Sequence, residues 1–200
     1  VETEEKVLVV YYSRTGKTKV VSDTLKNYFC ADELEVKDLK DRSGVVGFLT
    51  AAYDSFFDKY TSIEPAHPDL SRYSFIILVS PVWNWKLSMP MRTFLHNNKL
   101  NGKKLLVFTT ANIDIKKYEQ YGNDAPFIKR YLKNYLRENS KKMRAEAAAS
   151  GAKIMGHYHV ETQDVSGEKI KEKTLASFQD VQKRFALKPC QTNRLAYNYY

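Results

Sequence analysis

The segment Val7-Leu-Val-Val-Tyr-Tyr-Ser-Arg-Thr-Gly-Lys-Thr18 decides the fold. Six β-branched, aliphatic and aromatic residues stop abruptly at hydroxyls, one glycine and two cations. A helical pattern begins at once behind them, with Val20, Val21, Leu25, Tyr28 and Phe29 forming an apolar stripe to about Phe29. A strand that is apolar on both faces is central and parallel. A turn then delivers the free N–H groups of a new helix, and the partial positive charge of its dipole, to one point. Such a point receives an anion, and phosphate above all.

Outward from this segment, apolar periodicity alternates between strand and helix. Lys6–Tyr12, Glu33–Leu39, Ser74–Ser80, Lys104–Thr109 and Lys153–Thr162 read as strands. Ser43–Tyr60, Ser88 to about Asn97, Ala125–Ala149 and Glu168–Phe185 read as helices. Glu64-Pro65 to Leu70, Pro81–Lys86, Asn101-Gly102 and Thr110–Asn123 read as connections, and Ser88 as a helix cap before Pro90. Strands separated by helices predict an α/β three-layer sandwich with a doubly wound, five-stranded parallel sheet. Ligands of such sheets bind at the carboxyl ends of the strands. The loops after the first, third and fourth strands are therefore the candidates.

The composition is that of a globular chain, with 43% hydrophobic and 13% aromatic residues in 200. The longest apolar runs, Phe75–Val79 and Lys104–Phe108, are strand-sized, far short of the ~20 residues of a membrane span. Residues 1–6 are charged and unlike a signal peptide, although the absence of an initiator methionine allows for an upstream segment. Cys30 and Cys190 have no metal or redox spacing. Read as a thiol closing an apolar helix face and a thiol in a tail, they favour a reducing, cytoplasmic setting. The net charge of +9 suits an anionic or acidic partner. Lys129, Arg130, Lys133, Arg137, Lys141 and Lys142 are interleaved along one helix, and a solvated helix face accounts for them better than a nucleic-acid stripe. His67, His96, His157 and His159 read as ordinary surface or strand residues. His157 and His159 share a strand face but lack a third metal ligand, so neither a metal site nor a catalytic side chain is expected.

Gly16-Lys17-Thr18 ends like a nucleotide-binding P-loop, yet the first glycine of that motif would fall where Tyr11 stands. The third strand ends in Ser80-Pro81, without a magnesium-binding aspartate. G-x-G-x-x-G is absent as well. Ser13-Arg14-Thr15-Gly16-Lys17-Thr18 instead resembles the phosphate loop of the flavodoxin family, [S/T]-x-T-G-x-T. Pro81-Val82-Trp83-Asn84-Trp85, followed by Pro90-Met91-Arg92-Thr93-Phe94-Leu95, resembles that family's second flavin loop. The resemblance spans residues 6–186 and includes the long connection from Gly44 to Pro65. It implies strand order 2-1-3-4-5, a flavodoxin-like domain over residues 1–186 and a tail over 187–200. It also implies noncovalent FMN, with one indole stacked on the flavin and the other packed on the following helix, Trp83 being the preferred stacker. The third loop, Thr110-Ala111-Asn112, replaces the glycine-rich turn of many relatives.

The implied function is a redox protein, either an electron carrier between protein partners or an FMN-dependent oxidoreductase passing electrons from NAD(P)H to a quinone-type acceptor. The alternative is a binding or regulatory module of the same fold that has lost flavin. Carriers of this family tend to be acidic, so a basic chain points to an acidic protein partner or to NAD(P)H. Tyr197, Tyr199 and Tyr200 in the tail offer a surface for docking on the body or on another copy.

Overall fold

Five parallel strands lie side by side in the computed structural model. It describes residues 6–41, 47, 50, 59–111, 126–162 and 165–185, with side chains at 126–136 and 178–185 excepted. Strand β1 (Val7–Tyr11) pairs with β2 (Asp32–Glu35) on one side and β5 (Phe75–Trp83) on the other. Strand β5 continues the sheet to β7 (Lys104–Ala111), and β7 to β8 (Lys153–Glu161). The order β2-β1-β5-β7-β8 is the expected 2-1-3-4-5. The fold is a flavodoxin-like α/β sandwich.

Alternation along each strand divides the core in two. Leu8, Val10, Ile76, Leu78, Leu105 and Val107 face one side, where helices α2 (Met89–Asn97) and α3 (Pro126–Ala148) contribute Met91, Phe94, Met143 and Ala147. Val9, Tyr11, Ile77, Val79, Leu106 and Phe108 face the other, against Val21, Leu25, Tyr28 and Ile170 of α1 (Lys17–Phe29) and α4 (Gly167–Phe185). Each fully buried Leu, Ile or Phe contributes about 1.5–3 kcal/mol. Their period of two fixes the register, because a slip of one residue would turn every side chain to the wrong layer.

Three departures from the sequence reading bear on function. The second strand stops early: Val36 donates its N–H to the Tyr11 carbonyl at 2.7 Å, and the chain then leaves the main sheet. Strand β3 (Lys37–Asp38) pairs with β4 (Ile63–Glu64) in a separate antiparallel ribbon. The third strand runs on through Pro81 to Trp83 and folds back as β6 (Lys86–Leu87), so Pro81–Lys86 is a hairpin and not a loop. Thr110 and Ala111 belong to β7. The helix expected over Ser43–Tyr60 and Asn112 of the third loop fall largely or wholly outside the described residues, as does the tail beyond 185. Among the described residues no helix is long and apolar enough to cross a membrane.

Cys30 is also corrected. It caps α1 in the left-handed region (φ 46°), is exposed, and is disulfide-bonded rather than a thiol closing an apolar face.

The two helices on the first face are joined by a charge pair. Arg92 of α2, 9% exposed, donates from Nε to the Glu146 carboxylate of α3, and its guanidinium lies over the Tyr60 ring. A buried cation deprived of its carboxylate is costly, whereas an apolar pair in its place is tolerated. Glu146→Ala is expected to lower the unfolding free energy by about 3 kcal/mol. The double substitution Arg92→Met with Glu146→Leu should recover most of that loss. Urea unfolding of the three proteins checks both statements.

Candidate functional site

The carboxyl ends of β1, β5 and β7 are neighbours because the strands are parallel and adjacent. Tyr11 lies beside Val79, and Pro81 beside Thr110. Residues Ser13–Thr18, Pro81–Trp85 and Thr110–Ala111 therefore meet along one edge of the sheet.

The loop after β1 is built by its own first hydroxyl. Ser13 Oγ accepts N–H groups from Gly16 at 3.1 Å and from Lys19 at 3.2 Å, drawing the turn around itself. Gly16 has φ 85°, and a Cβ there would meet nothing within 4 Å. The glycine is therefore required for its left-handed backbone, not for close approach of another group. Its carbonyl accepts the first helical bond, from Val20 at 3.2 Å. No acidic residue stands in the first turn of α1, so the dipole is left uncompensated by a side chain.

The remaining loop residues divide. Thr18 is buried, and its hydroxyl lies 2.8 Å from that of Thr110. Lys17 extends Nζ to the Thr162 carbonyl at 2.6 Å. Thr162 in turn donates its N–H and its hydroxyl to the Ala111 carbonyl. The loop is thus stitched to the ends of β7 and β8 by its own side chains. Arg14 and Thr15 are exposed.

The second edge is the hairpin β5–β6. Val82 pairs with Leu87 and Trp83 with Lys86, leaving Asn84 and Trp85 as a two-residue turn. Both have positive φ, 47° and 63°, as a type I′ turn requires. Asn tolerates this conformation; a bulky residue at Trp85 stores of order 1–3 kcal/mol of strain. Trp83 sets its ring edge-to-face against Tyr12, with centroids 5.5 Å apart, and packs on the first core face. The root is fixed by two buried serines. Ser88 donates its N–H to Ser80 Oγ at 3.0 Å, and Ser80 Oγ donates to the Pro81 carbonyl at 2.9 Å. Ser88 thus precedes α2 as expected, but its hydroxyl turns to Ser80 and does not cap the helix.

His157 and His159 lie on β8, beside Thr109 of β7. Thr109 Oγ1 is 2.8 Å from His157 Nε2 and 3.0 Å from His159 Nδ1, and Ser140 Oγ of α3 is 2.7 Å from His157 Nδ1. The i, i+2 spacing showed that the two rings share a face, but only the register of β8 on β7 brings a threonine between them. Burial, then the His159 and Arg144 charges, push His157 down from 6.5 to about 4. Burial lowers His159 too, although part of that residue reaches solvent. No group of three His, Cys, Asp or Glu able to hold a metal occurs among the described residues.

Three solved structures share this architecture. A flavoprotein in complex with FMN from Lactobacillus acidophilus NCFM matches with a TM-score of 0.58 and 20% identity, covering 78% of this chain and 93% of its own. A candidate flavoprotein from Bacteroides uniformis ATCC 8492 matches at 0.59 and 15%, covering 85% and 97%. Another from Bacteroides eggerthii DSM 20697 gives 0.55 and 14%, covering 88% and 96%. No family model matches the chain, and no curated protein matches it in sequence. At these identities the likeness is one of fold.

The depressed His157 has a consequence for stability. Between pH 6.5 and about 4 the unfolded chain binds a proton that folded His157 does not. Stability contributed by the neutral ring is complete above pH 6.5 and is lost as pH falls toward 4, by up to about 3 kcal/mol. His157→Gln should flatten this acid limb, as read by urea unfolding at pH 7.5 and 4.5.

Proposed function

We propose that the chain binds FMN noncovalently at the carboxyl edge of its sheet and works as a flavin redox protein. The observation that carries the reading is the convergence of two unlike surfaces. A helix N-terminus with hydroxyls and cations lies beside a hairpin bearing two indoles, and Ser13–Val20, Pro81–Ser88 and Thr110–Ala111 contain no carboxylate. That donor set fits a phosphate monoester dianion next to a flat aromatic ring. The FMN-bound structure of the same fold supports it.

In this reading the N–H groups that open α1, the Thr15 hydroxyl and Arg14 receive the phosphate. Ser13, Gly16, Lys17 and Thr18 hold the loop in shape. Pro81, Val82 and Asn84 set the hairpin that presents the indoles, and Thr110 and Ala111 line the third side. Trp83 is engaged edge-on with Tyr12, so Trp85, at the strained tip, is the better candidate to cover the ring. Bound FMN would supply one- and two-electron redox chemistry, while the protein positions it and excludes competing reactions. Electron transfer to an acidic protein and NAD(P)H-dependent reduction of a quinone-type acceptor both suit a chain of net charge +9.

Titration with FMN and with riboflavin, followed by flavin fluorescence, tests the placement. Two charge-assisted hydrogen bonds of roughly 1.5–3 kcal/mol each predict FMN binding at least about 100-fold tighter. Equal affinities would remove the phosphate from the loop. Failure to take up either ligand would leave a flavin-free binding module. Anaerobic NADPH then separates the two roles, since rapid bleaching marks a reductase and a stable oxidised spectrum marks a carrier.

Trp85→Gly gives a second check. Glycine relieves the positive-φ strain, so the unfolding midpoint should hold or rise, while FMN affinity falls about tenfold with the lost ring contact. Unchanged affinity would take Trp85 out of the site.

A further inference from the structure

Strand β8 ends the sheet, and among the described residues no strand pairs with its outer side. Its bonds to β7 decide which backbone groups face outward. Lys153 donates its N–H to the Lys103 carbonyl, and Thr162 donates to the Ala111 carbonyl. The register shifts between Leu105 and Leu106, where Met155 is the extra residue on β8. Beyond that bulge the pairing is regular to Glu161. Inward groups alternate back from Thr162 through Val160 to Tyr158, whose carbonyl also accepts from Thr109 Oγ1 at 3.3 Å. His157, His159 and Glu161 therefore turn their N–H and carbonyl groups away from β7. The flank of this edge is cationic. Ser140 Oγ of α3 lies 2.7 Å from His157 Nδ1, which seats that turn of the helix beside β8. Arg137 and Arg144 stand one turn to either side of Ser140, share its side of α3, and are exposed. The Arg144 charge is felt at His157. Glu138 lies nearer to Lys141, at 2.8 Å, than to Arg137, at 3.8 Å. From the other layer, Lys173 of α4 reaches Glu161 at 3.3 Å.

We propose that the outer edge of β8 receives an extended acidic segment of another protein as an added strand. Backbone bonds to His157, His159 and Glu161 hold the segment, and carboxylates at its alternate positions meet Arg137 and Arg144. Side chains on one face of a strand recur about every 6.8 Å. The two arginines stand about 10.5 Å apart along α3, within reach of two such carboxylates. Charge selects the occupant. A second copy pairing through the same edge brings two sets of arginines together, and a basic strand meets the same repulsion. An acidic segment is attracted from both layers, since Lys173 can exchange Glu161 for one of its carboxylates. The proposal does not depend on flavin.

The test uses the full chain, isotopically labelled, with a peptide of alternating glutamate and valine as the probe. Nuclear magnetic resonance should show saturable shifts of the His157, His159 and Glu161 amides, with slowed hydrogen exchange at the same positions. Arg137→Gln combined with Arg144→Gln should weaken binding about tenfold, and added salt should weaken it in the unsubstituted protein. His159→Pro removes an outward N–H that β7 does not use, so this variant should keep its fold and lose the peptide. The arginine variant decides the matter if His159→Pro does not fold. Equal binding of a peptide with lysine in place of glutamate, shifts that avoid β8, or retained binding by folded His159→Pro would each overturn the proposal. So would His157 and His159 amides already protected without peptide, which would mark an edge covered by the chain itself or by a second copy.

Discussion

The lateral hydrogen bonding of β1 to β5 is the constraint from which the rest follows. Both strands are apolar on both faces, so neither can satisfy its backbone from water. Each must be flanked by strands, and parallel strands must be joined by helices that return along a face. Pairing Val7–Tyr11 with Phe75–Val79 therefore fixes more than a sheet. It brings the ends of two strands level, so the loop that opens α1 and the hairpin that precedes α2 emerge as neighbours. Residues some 70 positions apart in the sequence come to share one edge without any contact selected for that purpose.

Much of this was legible because the decisive signals are local. The apolar run at Val7–Tyr11, the glycine before Lys17, and the strand-sized runs at Phe75–Val79 and Lys104–Phe108 each declare their element through a few adjacent residues. The sheet order follows from the resemblance and from the rules of parallel connection. Where the reading failed, the deciding partner was distant. Pro81 and Trp83 look like loop residues until Leu87 and Lys86 pair with them. Val36 looks like the middle of a strand until the Tyr11 carbonyl claims its N–H and the chain diverges. The hydroxyl of Ser88 suits a helix cap, but Ser80 lies closer.

The candidate site was legible in identity more than in role. Thr18 and Lys17 have the chemistry to hold an anion, yet their side chains reach across to Thr110 and Thr162. Those hydroxyl and carbonyl partners come from β7 and from the residue that follows β8, and no spacing within Ser13–Thr18 announces them. The histidines show the same limit. Period two placed His157 and His159 on one face, while the shared Thr109 hydroxyl required the register of a neighbouring strand. Cys30 was misjudged for a related reason, since an apolar stripe along α1 stops short of its left-handed cap.

Ser13 fills the hollow of its own turn, holding the Gly16 and Lys19 amides without outside help. A loop ordered in this way has its conformational entropy removed during folding, not at the moment of encounter. The anion proposed for this loop would meet a turn already shaped, so its capture would be governed by collision and steering rather than by rearrangement. The same rigidity sets a limit in the other direction. Ser13 cannot release those two amides without loosening the start of α1, so selectivity in the proposed anion role would rest on fit to a nearly fixed cradle.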